Sequence, residues 1–363
     1  MKICEKRDLW QYLAETDRPI VMYGMGNGAD KILAVCEKYN IEVCDFFASD
    51  GFVRGHSFHG KIVLSYSAFK EKYKDQEPIV LLSFASSLDG VLDLIKSVAD
   101  EFELYAPDVP VFGDTLFDLE FFNANKERFE KVYSTLADEE SRRIYENVIN
   151  YKLTGDIKYL WDAESDKDTV YSDPLDAKSI KSFVDLGAYN GDTVRELLRY
   201  SPSLERAVAL EPDARNFRKL SEYAATLPSE FDLSCINASA WFENTTLFFD
   251  ASGNRNAGVI SGERKNIKKA EAQALTVDSV LEGAPVDYIK YDVEGSEREA
   301  LLGSAETIKK HAPKLLISLY HRSEDMFALP ELLSSINPDY ELYIRRFRYI
   351  PAWDLNLYAI KKK

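Results

Sequence analysis

The sequence predicts two α/β units, each a mostly parallel sheet covered by helices, joined by a helical connector. Short apolar runs of strand length alternate with helix-like stretches towards both ends of the chain, an alternation typical of parallel sheets. Between them, residues 113–165 are aromatic, charged and helical in period. The chain of 363 residues also exceeds the ~250–300 residues at which one hydrophobic core usually stops growing.

Composition and charge exclude several classes of protein. The net charge of −16 is spread along the chain, which argues against nonspecific binding of nucleic acid. No run approaches the ~20 apolar residues needed to span a bilayer, and the N-terminus lacks the apolar core of a signal peptide. The four cysteines and four histidines show no metal-binding spacing. We therefore expect a cytoplasmic protein without a membrane span, a nucleic-acid partner or a structural metal.

The first unit is predicted over residues 1–112. Its strand candidates are 19–24, 41–50 and 78–85, and residues 102–112 close it. The first strand runs into a turn with Gly24, Gly26 and Gly28, which opens a helix, and Asp50 ends the next strand. The spacing Gly24-x-Gly26-x-x-Ala29 fits a loose dinucleotide-binding fingerprint, which is a weak signal on its own.

The second unit is predicted over residues 170–363, after a helical connector at 113–169. The polar, proline-containing stretch 163–176 is interpreted as the boundary loop. Seven strand candidates follow, at 182–187, 206–211, 232–237, 286–292, 314–320, 340–346 and 355–361. The tight final pair predicts a doubly wound sheet with one antiparallel edge strand.

The strongest local signal lies at residues 182–198. A buried strand delivers Asp185, Gly187 and Gly191 allow a sharp turn, and a helix is predicted to start near Thr193. Open α/β sheets bind ligands beyond the carboxyl ends of their strands. Asp185 and Asp192 would repel a phosphate but suit an ammonium group, so the pattern favours S-adenosylmethionine over a dinucleotide.

Two later strand ends add acidic residues. Glu211, followed by Pro212, ends the next strand 26 positions after Asp185, where a carboxylate can accept both ribose hydroxyls. Asp292 and Glu294 emerge at the end of the fourth strand of the unit. The turn at 182–198 or the Glu211 strand end alone fits a generic Rossmann-like turn, but the two together, in this order and at this spacing, are more specific.

These pieces resemble the FkbM family of methyltransferases, whose elements typically read D-V-G-A-N-x-G, then E-P, then K-I-D-V-E-G-x-E. The matching segments here are Asp185-Leu186-Gly187-Ala188-Tyr189-Asn190-Gly191, Glu211-Pro212 and Lys290-Tyr291-Asp292-Val293-Glu294-Gly295-Ser296-Glu297. Tyr189 stands where the family usually has Asn. The resemblance covers about residues 170–363. It implies a class I methyltransferase with a Rossmann-like seven-stranded sheet, S-adenosyl-L-methionine as cofactor, and O-methylation of a sugar, glycan or related natural product.

The predicted cofactor site follows from these motifs. Asp185, Gly187, Tyr189 and Asn190 are expected at the methionine end, with Glu211 and Asp213 at the ribose and adenine. Ala238 and Ser239, after the third strand, are expected to flank the adenine. The remaining predicted cofactor residues are Ala188, Gly191, Asp192, Thr193, Pro212 and Asp292.

A hydroxyl acceptor must also lose a proton, which calls for a general base near the methyl group. His321 is the first candidate, because it follows the strand at 314–320 and should reach the same end of the sheet as Asp292. A capping or loop role for His321 is an equal alternative. Asp292 and Glu294 are the other candidate catalytic residues. These two carboxylates could hold a divalent ion, but their spacing indicates no third ligand, and no metal is expected.

The first unit leaves three interpretations open. Around Gly55 and the segment Phe58-His59-Gly60-Lys61-Ile62-Val63, it resembles the small Rossmann-like domains of sugar O-acyltransferases that act on nucleotide sugars, although the family's proline is absent. It could bind a nucleotide sugar through Gly24, Gly26 and Gly28. It could instead bind a nicotinamide cofactor through Asp50, or serve as a scaffold or homodimerising module.

Two rival functions stay open on the sequence alone. The chain could be a nucleotide-dependent oxidoreductase that uses its first unit, or a noncatalytic protein that binds sugar nucleotides on a retained cofactor fold. Residues 241–266 start with strand-like alternation and continue as a Gly/Asn-rich loop. They are the expected specificity element, either a lid over the ligand end of the sheet or a surface hairpin.

Overall fold

The computed structural model describes residues 1–4, 6–53, 55–250 and 269–362. The first unit has a five-stranded parallel sheet in the order β5-β2-β1-β6-β7, and β3 and β4 form a separate hairpin. Its elements are α1 Leu9–Glu15, β1 Ile20–Tyr23, α2 Asn27–Lys38, β2 Asp45–Ala48, β3 Ser57–Phe58, β4 Lys61–Ile62, β5 Leu64–Ser65, α3 Tyr66–Tyr73, β6 Ile79–Leu82, α4 Asp89–Glu101 and β7 Glu103–Tyr105.

The connector is helical, as the sequence predicts. Its helices are α5 Leu119–Thr135, α6 Glu139–Thr154, α7 Lys158–Trp161 and α8 Lys167–Ser172. The last of these corrects the interpretation of 163–176 as a loop. The Asp166 side chain accepts a hydrogen bond from the Thr169 amide and caps α8, so the polar residues form a helix start. The helix ends before Pro174.

The second unit carries the seven-stranded sheet, in the order β10-β9-β8-β14-β15-β17-β16, and the predicted α/β fold with a seven-stranded sheet is confirmed. Its elements are β8 Ser182–Leu186, α9 Asp192–Tyr200, β9 Arg206–Leu210, α10 Ala214–Ala224, β10 Asp232–Ile236, β11 Ala238–Ala240, β12 Thr245–Asp250, β13 Lys269–Leu275, α11 Val277–Leu281, β14 Tyr288–Tyr291, α12 Glu297–Leu302, α13 Ala305–His311, β15 Lys314–Ser318, α14 Asp325–Ile336, β16 Tyr340–Arg346 and β17 Leu355–Lys361.

The position of the antiparallel strand differs from the prediction. β17 lies antiparallel between β15 and β16, so the edge strand is β16 and runs parallel to β15. A small sheet, β11-β13-β12, was not anticipated. It includes the strand-like start of the expected specificity element at 245–250, whereas the Gly/Asn-rich remainder of that element at 251–266 lies outside the described residues.

Apolar packing links the two units. One cluster of buried side chains contains Val80 of β6, Phe117 and Phe129 near and in α5, and Ile289 of β14. Backbone hydrogen bonds also join Ser86 to Ile350, at 2.9 and 3.0 Å. The boundaries at 112 and 170 stay predictions. Within the described ranges, every helix is too short or too polar to cross a bilayer.

Candidate functional site

The turn after β8 is shaped by close backbone packing. Gly187 has a φ of +81°, and a Cβ at this position would collide with the carbonyl oxygen of Asp292. The amides of Gly187 and Ala188 both donate to the Leu210 carbonyl at 3.0 Å. β8, β9 and β14 are adjacent parallel strands, so their carboxyl ends meet at this turn. Glycine is therefore required for the close approach of two strand ends.

Asp185 is fully buried and lies opposite Lys290 in the register of β8 and β14. Its Oδ1 atom is 3.5 Å from Lys290 Nζ, which is also 3.3 Å from Asp292 Oδ2. Burial raises the pKa of Asp185 to about 6, although Lys290 opposes the shift. The ammonium is shared between two carboxylates, so it compensates Asp185 only in part. Asp185 Oδ2 is buried and has no hydrogen-bond partner among the residues that the structure describes.

Glu211 is held at the end of β9 by backbone amides. Its Oε2 atom accepts from the Tyr189 amide at 2.8 Å, and its Oε1 atom accepts from the Asp213 amide at 2.9 Å. The residue is 6% exposed. Burial raises the pKa of Glu211 to about 7 despite these two donors. The carboxylate is thus oriented before any ligand arrives.

Two further polar side chains follow β8 and β10. Asn190 Oδ1 and Ser239 Oγ are both buried, and neither has a hydrogen-bond partner among the described residues. Ala238 is buried at the start of β11, whereas Tyr189 is 46% exposed with a φ of +47°. Gly191 caps α9, with Asp192 and Thr193 in its first turn, and the Asp213 side chain caps α10. The structure therefore brings the predicted cofactor residues to one end of the sheet.

Asp292 follows β14 and lies in a polar pocket. Its Oδ1 atom accepts from Ser318 Oγ at 3.0 Å and from Tyr320 OH at 3.1 Å. Burial alone would raise its pKa, but the Lys290 ammonium and the neighbouring donors lower the pKa of Asp292 to about 2. Asp292 is therefore ionised across the neutral range.

His321 lies beneath Asp292 and is completely buried. Its Nε2 atom is 3.8 Å from Asp292 Oδ1 and 3.5 Å from Glu294 Oε2. Its Nδ1 atom is 3.0 Å from Glu297 Oε1 but is not aligned for a hydrogen bond. Burial would lower the pKa of His321, but the adjacent Glu297 and Glu294 carboxylates outweigh it and raise the pKa well above the ordinary value.

The three predicted catalytic residues thus lie together but differ in accessibility. The Glu294 side chain is 64% exposed, Asp292 is 30% exposed and His321 is enclosed. Glu297, at the start of α12, is 1% exposed, and the sequence motif alone did not predict a functional role for it. Lys290 was missed in the same way. An ionisable residue inside an otherwise apolar strand was the signal available for Lys290, whereas Glu297 resembles an ordinary acidic helix start.

The glycine turn of the first unit is closely packed. A Cβ on Gly24 would meet the Ser83 and Phe84 side chains, and one on Gly28 would collide with the Ser83 carbonyl, whereas Gly26 faces open space. β2 ends at Ala48, so Asp50 starts a 3₁₀ helix instead of ending the strand. Its carboxylate accepts from Ser67. Binding of a nucleotide sugar at this turn stays a prediction.

Comparisons with known proteins agree with this architecture. A solved FkbM methyltransferase from Methylobacillus flagellatus KT is 22% identical, with a TM-score of 0.71 over 96% of this chain and 92% of its own, which establishes a shared fold. Two more distant structures are a putative rRNA methylase from Clostridium thermocellum (9% identity, TM-score 0.37, 55% of this chain and 98% of its own) and Aeropyrum pernix fibrillarin with natively bound S-adenosyl-L-methionine (14%, 0.32, 53% and 76%). Among curated proteins, no relative matches the sequence.

The family match covers the residues of the candidate site. A protein-family model described as the methyltransferase FkbM domain matches residues 185–351. This range starts at buried Asp185 and includes Glu211, Asp292 and His321. Residues 185–351 of the chain therefore match the methyltransferase FkbM domain, and the chain shares the fold of a solved FkbM methyltransferase.

Proposed function

We propose that this protein transfers a methyl group from S-adenosyl-L-methionine to a hydroxyl oxygen, on a sugar, glycan or related natural product. The observation that carries the proposal is the pair of buried carboxylates, Asp185 and Glu211, at adjacent strand ends. Asp185 keeps one oxygen without a partner, and Glu211 is fixed by two amides. Buried carboxylates require compensation by a cation or by hydrogen-bond donors.

The residues present fit each part of this cofactor. Asp185 Oδ2 offers an acceptor for the ammonium group, and Glu211 offers its carboxylate to the ribose hydroxyls. Ser239 Oγ, which has no partner within the described part of the chain, suits the adenine side. When bound, the cofactor supplies a sulfonium-activated methyl group. The chain has to hold it beside the acceptor, and such positioning can reduce a barrier by about 7–11 kcal/mol.

The acceptor hydroxyl has to release its proton to a base, and the candidate bases Asp292, Glu294 and His321 lie together at the end of β14. We assign its uptake to Glu294, because Glu294 is the exposed member of the cluster, at 64%. His321 has no exposed surface, so it does not contact the acceptor. Its role is to position the Glu294 and Asp292 carboxylates. The Asp292 carboxylate, with a pKa of about 2, is too weak a base for this step.

Calorimetric titration with S-adenosylhomocysteine tests the proposal. Wild-type protein is expected to show saturable binding. Asp185→Asn and Glu211→Gln should each weaken it by about 10- to 100-fold, since hydrogen bonds to charged groups contribute about 1.5–3 kcal/mol. Asp232→Asn, a change at an exposed aspartate that starts β10, is the matched control.

The result that would overturn the proposal is absence of saturable binding in the folded wild-type protein, or equal affinity in all three variants. A parallel titration with NADH addresses the oxidoreductase alternative. The acceptor class is tested separately, by mass spectrometry of sugars and glycans incubated with the protein and S-adenosylmethionine. A methyl group found on nitrogen or carbon would contradict O-methylation.

A further inference from the structure

In the described ranges, two adjacent buried side chains carry three polar atoms without hydrogen-bond partners. They are Nδ1 and Nε2 of His321 and Oε2 of Glu297. His321 is 0% exposed and Glu297 is 1% exposed. Buried polar atoms are nearly always paired, so three orphaned atoms in one cluster indicate a missing partner.

The orphaned atoms belong to a group with metal-binding chemistry. Asp292, Glu297 and His321 each offer one ligand atom, and these atoms lie within 4.8 Å of one another. Two ligands that bind one transition ion at about 2.0–2.2 Å are separated by roughly 3–4 Å. His321 Nδ1 lies 3.0 Å from Glu297 Oε1, and His321 Nε2 lies 3.8 Å from Asp292 Oδ1. One ion can bind only one of the two ring nitrogens, so the carboxylate on the other side of the ring would have to rotate onto the ion, within the 4.8 Å that spans the three ligand atoms.

The surroundings hold the ligands in place. Glu297 Oε1 accepts from the Val293 amide at 2.9 Å, whereas Oε2 has no partner in the described ranges. Asp292 is held by Ser318 and Tyr320. Such supporting hydrogen bonds orient metal ligands in known sites. The arrangement is thus more ordered than an exposed group of acidic side chains.

We propose that Asp292, Glu297 and His321 bind one divalent transition-metal ion at the carboxyl ends of β14 and β15. One imidazole and two carboxylates suit ions such as Mn²⁺ or Zn²⁺, whereas Mg²⁺ prefers oxygen ligands. Three protein ligands leave coordination positions for water or an acceptor hydroxyl. Resting on the proposed function, the ion would lower the pKa of that hydroxyl as a Lewis acid, and exposed Glu294 would remain available to take the proton.

The test uses the full-length protein, freed of metal by a chelator and titrated with Mn²⁺ alone, with free Mn²⁺ followed by electron paramagnetic resonance. We expect one bound Mn²⁺ per chain, displaced by Zn²⁺. Glu297→Gln and His321→Ala should each weaken Mn²⁺ binding at least tenfold. Glu306→Gln and His56→Ala, which change exposed residues, should leave it unchanged.

A second measurement on wild-type protein does not depend on whether a variant folds. Electron spin echo modulation of the bound Mn²⁺ should show coupling to an imidazole nitrogen. Absence of that coupling, absence of stoichiometric Mn²⁺ binding, or binding that both site variants retain would each overturn the proposal and leave a metal-free ion-pair cluster. Because no cofactor or acceptor is present, these results are independent of the titration with S-adenosylhomocysteine.

Discussion

At the scale of single residues, Glu211 combines two functions that oppose each other energetically. Its carboxylate fixes the turn through the Tyr189 and Asp213 amides, yet its burial disfavours the charge that a ribose would use. A pKa of about 7 means that Glu211 is only partly ionised near neutral pH. Ligand affinity should therefore depend on pH in a range where most carboxylates do not titrate.

We predict that affinity for S-adenosylhomocysteine falls as pH falls from about 8 to about 5. Binding favours the ionised carboxylate, so protonation below the pKa competes with it, by at most about tenfold per pH unit for one group. Asp185, with a pKa of about 6, should steepen the loss at the acid end. Calorimetry across this range measures the slope.

Two variants make the assignment specific to Glu211. Glu211→Gln should flatten the profile above about pH 6.5, where Asp185 has largely ionised. Glu222→Gln, an exposed change on the neighbouring helix α10, should preserve the wild-type profile. An affinity that is constant with pH in wild-type protein would contradict a ligand-binding role for Glu211.

The sequence revealed some of these residues better than others. Asp185, Glu211 and Asp292 each follow an apolar run, and strand ends can be located from sequence alone. Glu297 and His321 come from different elements, α12 and the loop after β15. Their 3.0 Å approach depends on how those elements pack, which no local pattern encodes. The third potential metal ligand was therefore not predictable from spacing.

At the scale of secondary-structure elements, the turn between β8 and α9 depends on Gly187. We predict that Gly187→Ala lowers the free energy of unfolding by about 2–4 kcal/mol, because the left-handed backbone and the collision with the Asp292 carbonyl both oppose a Cβ. Thermal melting of the unliganded protein measures the effect. Gly90→Ala in α4, where a Cβ meets nothing within 4 Å, should be neutral or stabilising by about 0.5–1 kcal/mol. Equal melting temperatures for the two variants would refute the packing argument.

The order of the last strands shows where element-level prediction ends. The sequence indicates β16 and β17 and their close succession, which predicts that they pair. Either strand could then neighbour β15 without changing the apolar pattern. In the structure β17 lies between β15 and β16. Both strands are buried over most of their length, so their order is decided by tertiary packing and not by the local sequence pattern. Helix α8 was missed for a different reason, since polar capping residues and polar loop residues look alike in a sequence.

At the scale of the whole molecule, the end of the first unit contacts the candidate site. The Phe112 amide donates to the His321 carbonyl at 2.9 Å, and a Cβ on Gly295 would meet the Phe112 ring. The Arg322 guanidinium lies 4.2 Å from the centre of that ring and donates to the Gly295 carbonyl. Lys31 of α2 in turn binds the carbonyls of residues 110 and 111.

We predict that Phe112→Ala speeds amide hydrogen exchange at residues 293–297 about tenfold or more. Loss of the ring removes packing worth about 1–3 kcal/mol, and 1.4 kcal/mol corresponds to a factor of ten. Exchange followed by mass spectrometry measures the change. Phe52→Ala, at a ring that is 63% exposed in the same unit, is the control. Unchanged exchange at 293–297 would show that Phe112 does not brace this loop.

The contact at Phe112 also limits which substitutions the chain can accumulate and how it can be engineered. The family match begins at residue 185, but Phe112, more than seventy positions earlier in the chain, contacts the residues that follow β14 and β15. Substitutions around 110–115 and around 293–322 must therefore be compatible with each other. Exchanging the N-terminal half for that of a distant relative would join surfaces that had not been selected together. A chimaera is therefore best joined upstream of residue 110, so that segments 110–115 and 293–322 come from the same protein.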